Sequence, residues 1–321
     1  MARRRIVFMG TPEIAAVALR SLLADSRLDV VGVVAQPDRP KGRSMQRTPP
    51  PTKTVAQAND VPVLQPQKAN DSAFLEAVRG LKPEVLVVLA YGQILRPRLL
   101  DMPPKGAVNI HTSLLPQYRG AAPIQWAIFN GDERTGVTLM QMDRGMDTGP
   151  ILATKSTPIL PSETGQSLHD RLAQLSVALL KSHLIPFLDG AITPRPQDPE
   201  SATVAPKITK EDGVLDWRRS ASEIDRQVRA FSPWPGTQTV VSWSNGQSIP
   251  IKIVQGEPGV GTASPGEAVI GGRRQILVGC GDGIYQIRRL QRPGRPVMSA
   301  EAFLAGHPLD EETRWGPTES S

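Results

Sequence analysis

The sequence predicts an α/β fold, in which an N-terminal domain with a mostly parallel, doubly wound sheet is followed by a small C-terminal β-barrel. Three observations predict it. Strand, helix and strand patterns succeed one another within the first 34 residues. Residues 85–90, Val-Leu-Val-Val-Leu-Ala, form a continuous apolar run, as expected of a central strand buried on both faces. Beyond residue 206, short alternating runs between glycine-rich turns take over, the pattern of an antiparallel barrel of the oligonucleotide-binding (OB) type.

Taken in order, residues 6–9 are a buried strand. Thr11-Pro12-Glu13 reads as a helix start, with Thr11 as N-cap, Pro12 at the first helical position and an acid in the first turn. That helix runs to about Leu23. The β-branched run 29–34 completes a right-handed parallel unit. The Gly10-Thr11-Pro12 turn lacks G-x-G-x-x-G spacing, so no nicotinamide cofactor is inferred. A long loop over 36–51 is followed by a short helix over 52–59, a strand over 61–64 and a helix capped by Asp71. The 85–90 strand ends at Tyr91-Gly92, at the carboxyl edge where open α/β sheets bind ligands.

A helix is expected over 121–130 and a strand over 136–142. A long helix is expected over 167–188, where Leu168, Leu172, Leu175, Leu179 and Leu180 recur every three or four residues. Its histidines, His169 and His183, read as surface residues. Gly190 stops it, and the proline-rich segment 191–206 reads as an interdomain linker. The second domain should hold a helix over 222–230 and strands over 238–243, 249–254, 266–270, 275–278 and 283–290. The expected divisions are a first domain over 1–190, a linker over 191–206, a barrel over 207–306 and a mobile tail over 307–321.

Composition narrows the function classes. A single cysteine among 321 residues rules out an intrachain disulfide, and four scattered histidines give no metal-ligand spacing. No apolar run reaches membrane-spanning length, and the apolar run after Arg3-Arg4-Arg5 is too short for a signal peptide. A cytoplasmic protein is expected. Net charge is +6, concentrated in two stretches: Arg39, Lys41, Arg43, Arg47 and Lys53 against Asp38, and Arg288, Arg289, Arg292 and Arg295 with no acid among them. Two basic loops suit a polyanion, although either alone is also what a solvated loop looks like. With 4% aromatic residues, extended base stacking is not expected.

The chemistry concentrates in the stretch from Asn109 to Gly120. If residues 108–111 form a strand, Asn109 and His111 share a face. Asn109 can donate to an oxyanion without changing protonation state, and His111 can act there as a charge or move a proton. Asp147, in a loop between Gly145 and Gly149, could act on His111 or accept a proton from an attacking amine. Together they could run acyl transfer to an amine without a covalent enzyme intermediate. Asn-x-His at a strand end and Asp-Thr-Gly in a turn are also common structural features, and a non-catalytic RNA-binding protein fits the same residues.

The order of motifs resembles the methionyl-tRNA formyltransferases, within the folate-dependent formyltransferase group. The stretches are Met9-Gly10-Thr11-Pro12-Glu13, Gln36-Pro37-Asp38-Arg39-Pro40, Ala90-Tyr91-Gly92, Asn109 to Gly120 and Asp147-Thr148-Gly149, then Leu215-Asp216-Trp217 and Phe231-Ser232-Pro233-Trp234-Pro235-Gly236. The resemblance implies a Rossmann-like formyltransferase domain, 10-formyltetrahydrofolate as donor and the α-amine of methionyl initiator tRNA as acceptor, with no metal, no membrane and a monomeric enzyme. It implies Asn109, His111 and Asp147 as the catalytic trio and Ser113, Leu114, Leu115 and Pro116 as the folate-binding segment. It also implies that Arg43 reaches the acceptor stem, and that the basic loops grip tRNA phosphates. An amino-sugar nucleotide acceptor is the alternative within the wider group. The sequence departs from its relatives at Thr112, where glycine is common and a β-branched residue demands negative φ, and in the proline-rich end of the 36–51 loop.

Overall fold

The computed structural model describes residues 2–41, 46–269 and 274–316, with the Lys41 side chain outside the description. The chain forms two compact units, and the division is not a single cut. The first takes Met1–Pro123, Arg134–Pro158 and His169–Ala205; the second takes Ile124–Glu133, Ile159–Leu168 and Pro206–Ser321.

The first unit begins β1 (Arg4–Gly10), α1 (Glu13–Leu23), β2 (Leu28–Val34), β3 (Arg39–Lys41), β4 (Gln46–Thr48), α2 (Pro51–Gln57), β5 (Val63–Leu64), α3 (Ser72–Gly80), β6 (Val85–Leu89) and α4 (Pro97–Leu100). It continues with β7 (Ala107–His111), β8 (Arg119–Gly120), α5 (Pro123–Asn130), β9 (Arg134–Gln141), β10 (Ile151–Pro158), α6 (Gly165–Leu188) and β11 (Val204–Ala205), α5 and α6 each straddling the boundary between units. The main sheet runs β10-β9-β7-β6-β1-β2-β5. Its β7-β6-β1-β2-β5 part is parallel, while β9 and β10 are antiparallel. Ile6 to Met9 and all of β6 are buried, as a strand covered on both faces requires. From β1 the chain moves out to β2 and β5, then returns to β6 and β7. The carboxyl ends of β1 and β6 therefore flank the topological switch point.

Several local expectations are corrected. Thr11 does not cap α1: its hydroxyl donates to Tyr91 O at 2.9 Å across the switch point, and Pro12 takes the cap position. The 36–51 loop contains the β3–β4 hairpin, and its base is closed by an ion pair between Lys53 and Asp38 at 2.9 Å, with Gln65 donating to the same carboxylate at 2.7 Å. The segment 191–206 is not a free linker. Arg195 bridges to Ile151, and β11 pairs in parallel with β8. β10 is an addition; its outer half is mostly exposed, without alternation, and gives no period-two signal.

The second unit adds α7 (Ala221–Ala230), β12 (Thr237–Ser242), β13 (Ser248–Gly259), β14 (Ala268–Val269), β15 (Ile276–Gly279), β16 (Ile284–Gln291), β17 (Val297–Ser299), α8 (Ala300–Gly306) and β18 (Arg314–Gly316). The antiparallel order is β14-β15-β16-β13-β12-β18, with β17 on β16. The ends meet: Glu267 bridges Arg314, and Trp315 N donates to Gly266 O at 2.7 Å. The result is a small, curled OB-like barrel around Trp217, Tyr285, Ile287, Phe303 and Trp315. The tail expected from His307 is thus built into the fold as far as Gly316, because Trp315 is buried in this core.

Helix α7 starts with a reciprocal cap: Ser220 Oγ accepts from Glu223 N, and Glu223 Oε2 accepts from Ser220 N at 2.9 Å. Ser220→Ala is expected to lower barrel stability by about 1 kcal/mol. The check is the midpoint of urea unfolding; an unmoved midpoint would show that the cap contributes nothing.

Candidate active site

Strand β7 places Asn109 and His111 on one face, two residues apart, beside β6 and β9 through the pairs Val88↔Asn109 and His111↔Thr138. Both side chains are buried. The loop after β9 brings Asp147 to them, with Asp147 Oδ2 3.7 Å from His111 Nδ1. The structure therefore brings the three sequence-predicted residues to one edge of the sheet.

Proton placement on His111 follows from its contacts. Nε2 lies 2.8 Å from Tyr118 O. A carbonyl only accepts, so Nε2 carries hydrogen and donates. Nδ1 is then the one ring position at which His111 can gain or lose a proton, and it faces the carboxylate just beyond direct hydrogen-bond range. Asp147 Oδ2 is itself held by Gly120 N at 2.9 Å. Asn109 makes no side-chain hydrogen bond to protein among the described residues, so its amide hydrogens are available to a ligand.

The backbone around the site is unusual. Ala90, Tyr118 and Asp147 have φ of 50, 61 and 55°, in the left-handed region that non-glycine residues seldom occupy. Gly149 is required by packing, since a Cβ there would stand 1.9 Å from Gln141 O. Gly120 combines a φ of 120° with a hypothetical Cβ only 2.6 Å from Ala205 O, so no side chain fits against β11. Thr112 is not among the positive-φ residues, as its branched side chain demands.

The segment Ser113 to Pro116 divides in two. Ser113 is fully buried and its hydroxyl donates to Gln117 O at 2.6 Å; Leu115 packs with Met140 and Ile151. These two shape the loop from inside. Leu114 and Pro116 are half-buried and keep apolar surface available. Beside this edge, a cleft of about 740 Å³ opens at the switch point, lined by Thr11, Pro12, Gln36, Arg39, Tyr91 and Gly92 among others. Burial pushes the Tyr91 phenol up to about 12, which keeps it neutral.

The sequence missed the group that fastens Asp147. Gln197, in the supposed linker, donates to Asp147 O and Gly149 O at 2.8 and 2.7 Å and accepts from Arg119. Nothing in a proline-rich run marks such a residue.

The basic candidates are dispersed. Arg39 and Arg47 are exposed on the β3–β4 hairpin; Arg43 lies outside the described residues, as does the side chain of Lys41. The Lys53 charge is spent on Asp38, whose carboxyl is held below the usual carboxylate range first by the Gln65 amide and then by Lys53. In the second unit, Arg288 pairs with Glu257, whereas Arg289, Arg292 and Arg295 have no ion pair among the described residues. A β-bulge beside Gln255 lets the consecutive Arg288 and Arg289 both face outward. His169 and His183 sit on α6, with Asp170 and with Ser182 and Leu179 O, respectively. Cys280 is buried in the barrel, and that burial pushes its thiol up to about 12. Among the described residues no helix is long and apolar enough to cross a membrane, and no group of three potential metal ligands occurs.

Comparison with known proteins agrees along the chain. Residues 4–184 match the "Formyl transferase" family and 207–308 match "Formyl transferase, C-terminal domain". Similar curated proteins include the methionyl-tRNA formyltransferases of Pelobacter propionicus, 47% identical over 98% of this chain and 97% of the relative, and Geobacter sulfurreducens, 46% identical over 98% of each. That of Myxococcus xanthus is 48% identical over 96% of this chain and 97% of its own. Among solved structures, the N-formyltransferase of Helicobacter canadensis, in complex with folinic acid and dTDP-3-aminofucose, has a TM-score of 0.66 at 18% identity, covering 91% of this chain and all (100%) of its own. WlaRD, a sugar 3N-formyl transferase with dTDP and 5-N-formyl-THF, scores 0.65 at 17% identity over 92% of this chain and 100% of its own; both support the fold. The chain belongs to the formyl transferase family, among the methionyl-tRNA formyltransferases.

Proposed function

We propose that this chain transfers the formyl group of 10-formyltetrahydrofolate to the α-amine of methionyl initiator tRNA, for translation initiation, as a cytoplasmic monomer. The observation that carries the reading is the His111–Asp147 pair facing across 3.7 Å beside the available Asn109 amide, in a chain matched along nearly its whole length by relatives of that name.

The amine nitrogen attacks the formyl carbon, so a C–N bond forms and the carbonyl oxygen gains negative charge. Asn109 donates to that oxygen, where a preorganised donor acts mainly on the transition state. The attacking nitrogen must lose a proton and the departing folate nitrogen must gain one. Asp147 accepts the first, directly or through water, and His111 Nδ1 faces it as the second proton position. The C–N bond to the folate then breaks, and the carbonyl re-forms. No covalent enzyme intermediate is needed, and Ser113 is unsuited to be a nucleophile because its hydroxyl is buried and already donating. Leu114 and Pro116 offer apolar contact to the folate ring, with Ser113 and Leu115 supporting them. Arg39 and Arg47 on the hairpin and Arg289, Arg292 and Arg295 on the barrel meet tRNA phosphates; the same role is proposed for Lys41, Arg43 and Arg288.

The deciding assay supplies 10-formyltetrahydrofolate with either charged initiator tRNA or an amino-sugar nucleotide. Formyl-methionyl-tRNA is the expected product. Formylation of the sugar nucleotide alone would overturn the reading, and RNA binding without transfer would leave only a binding protein. Phosphate contacts release counterions, so tRNA affinity should fall steeply with salt. Arg292→Ala is expected to reduce the slope of log affinity against log salt by about 1. An unchanged slope would remove Arg292 from the RNA interface.

A further inference from the structure

We propose that Gln197 is a positioning residue for formyl transfer, holding both supports of the Asp147 carboxylate. The proposal rests on the reading of Asp147 as a proton-handling group.

The amide of Gln197 uses its bonding capacity almost completely. Its two N–H hydrogens go to Asp147 O at 2.8 Å and Gly149 O at 2.7 Å, bracketing Thr148. Its oxygen accepts from Arg119 Nε at 3.1 Å and Nη2 at 2.8 Å. The residue after Arg119 is Gly120, whose N–H donates to Asp147 Oδ2 at 2.9 Å. A closed circuit results: Asp147 backbone, Gln197, Arg119, Gly120 and back to the Asp147 carboxylate. One side chain thus fixes the backbone behind the carboxylate and the segment that donates to it. Asp147 has φ of 55°, a backbone state that persists only when its surroundings impose it. Gln197 supplies that imposition with two hydrogen bonds to the loop's carbonyls.

The remainder of the 195–205 segment acts in the same sense. Thr203 Oγ1 accepts from Tyr118 N at 2.8 Å, and Tyr118 O is the carbonyl that fixes His111 Nε2. Val204 and Ala205 pair with Arg119 and Gly120. Both halves of the His111–Asp147 pair are therefore braced by a strap that neither family match covers. Gln197 itself is bonded to backbone and Arg119, not to the facing atoms of the pair, so its effect passes through Asp147.

The test compares Gln197→Met, which removes donors and acceptor, with Gln197→Glu, which keeps an acceptor for Arg119 but sets an oxygen against the two carbonyls. Each is made in the wild-type chain and in the Asp147→Asn chain, with folding checked by circular dichroism. For the single variants, kcat should fall about ten- to hundred-fold, the scale of a misplaced group, while KM for tRNA and for the folate stays within about two-fold. In the Asp147→Asn chain the same substitutions should add little, because residues acting as one unit are non-additive. Should Gln197→Met fail to fold, Arg119→Met breaks the same circuit and serves in its place. Unchanged kcat, or an equal fold-loss in both chains, would overturn the proposal. Full activity of Asp147→Asn alone would instead overturn the reading of Asp147.

Discussion

Asp147→Asn is expected to lower kcat by about 10²–10⁴-fold, the usual contribution of a positioned acid–base group, while tRNA affinity stays within about two-fold. The substitution is nearly isosteric and keeps an oxygen that can accept from Gly120 N, so the loop should hold. What disappears is the capacity to take a proton opposite His111 Nδ1. With a neutral amide there, the attacking amine has no fixed carboxylate to receive its proton. Single-turnover formylation at saturating tRNA isolates this step from binding. Turnover close to wild type would remove Asp147 from proton transfer and leave it a structural loop residue.

Asn109→Ala should cost about 10²–10³-fold in kcat, as loss of one oxyanion donor typically does. Because the interaction strengthens in the transition state, kcat and kcat/KM should fall together. Stability should change little: Asn109 has no protein hydrogen-bond partner among the described residues, so its removal orphans nothing. His111→Ala differs, since it removes the buried hydrogen bond between His111 Nε2 and Tyr118 O. A raised folate KM with kcat intact would reassign Asn109 to ground-state binding.

Much of the fold was legible because burial leaves a periodic trace. Residues 6–9 of β1, 30–34 of β2 and all of β6 form charge-free apolar runs, and the leucines of α6 recur at helical spacing. Asn109 and His111 were legible as a pair because strand geometry alone places alternate residues on one face. Asp147 was legible as a residue type in a glycine-flanked loop; its approach to His111 is a long-range contact that no local pattern encodes. Gln197 was opaque for a related reason. Its function lies in two backbone carbonyls fifty and forty-eight positions away along the chain, and backbone atoms carry no sequence signature. Thr11 misled because its hydroxyl had two possible partners, the local helix N-terminus and the Tyr91 carbonyl across the sheet, and the distant one won. The segment from His307 looked like a tail because its charged run hides the buried Trp315 that follows.

Strand β18 has a consequence for how the barrel behaves toward other copies of itself. Val240, Val241 and Ser242 of β12 pair with Gly316, Trp315 and Arg314, and on its other side the short strand is joined to Gly266 and Glu267. Three residues thereby cover two sheet edges at once. Uncovered, those edges would each present a row of backbone donors and acceptors, the template on which a second chain adds a strand. In a concentrated solution, colloidal stability of the barrel thus depends on a segment that touches no proposed catalytic residue.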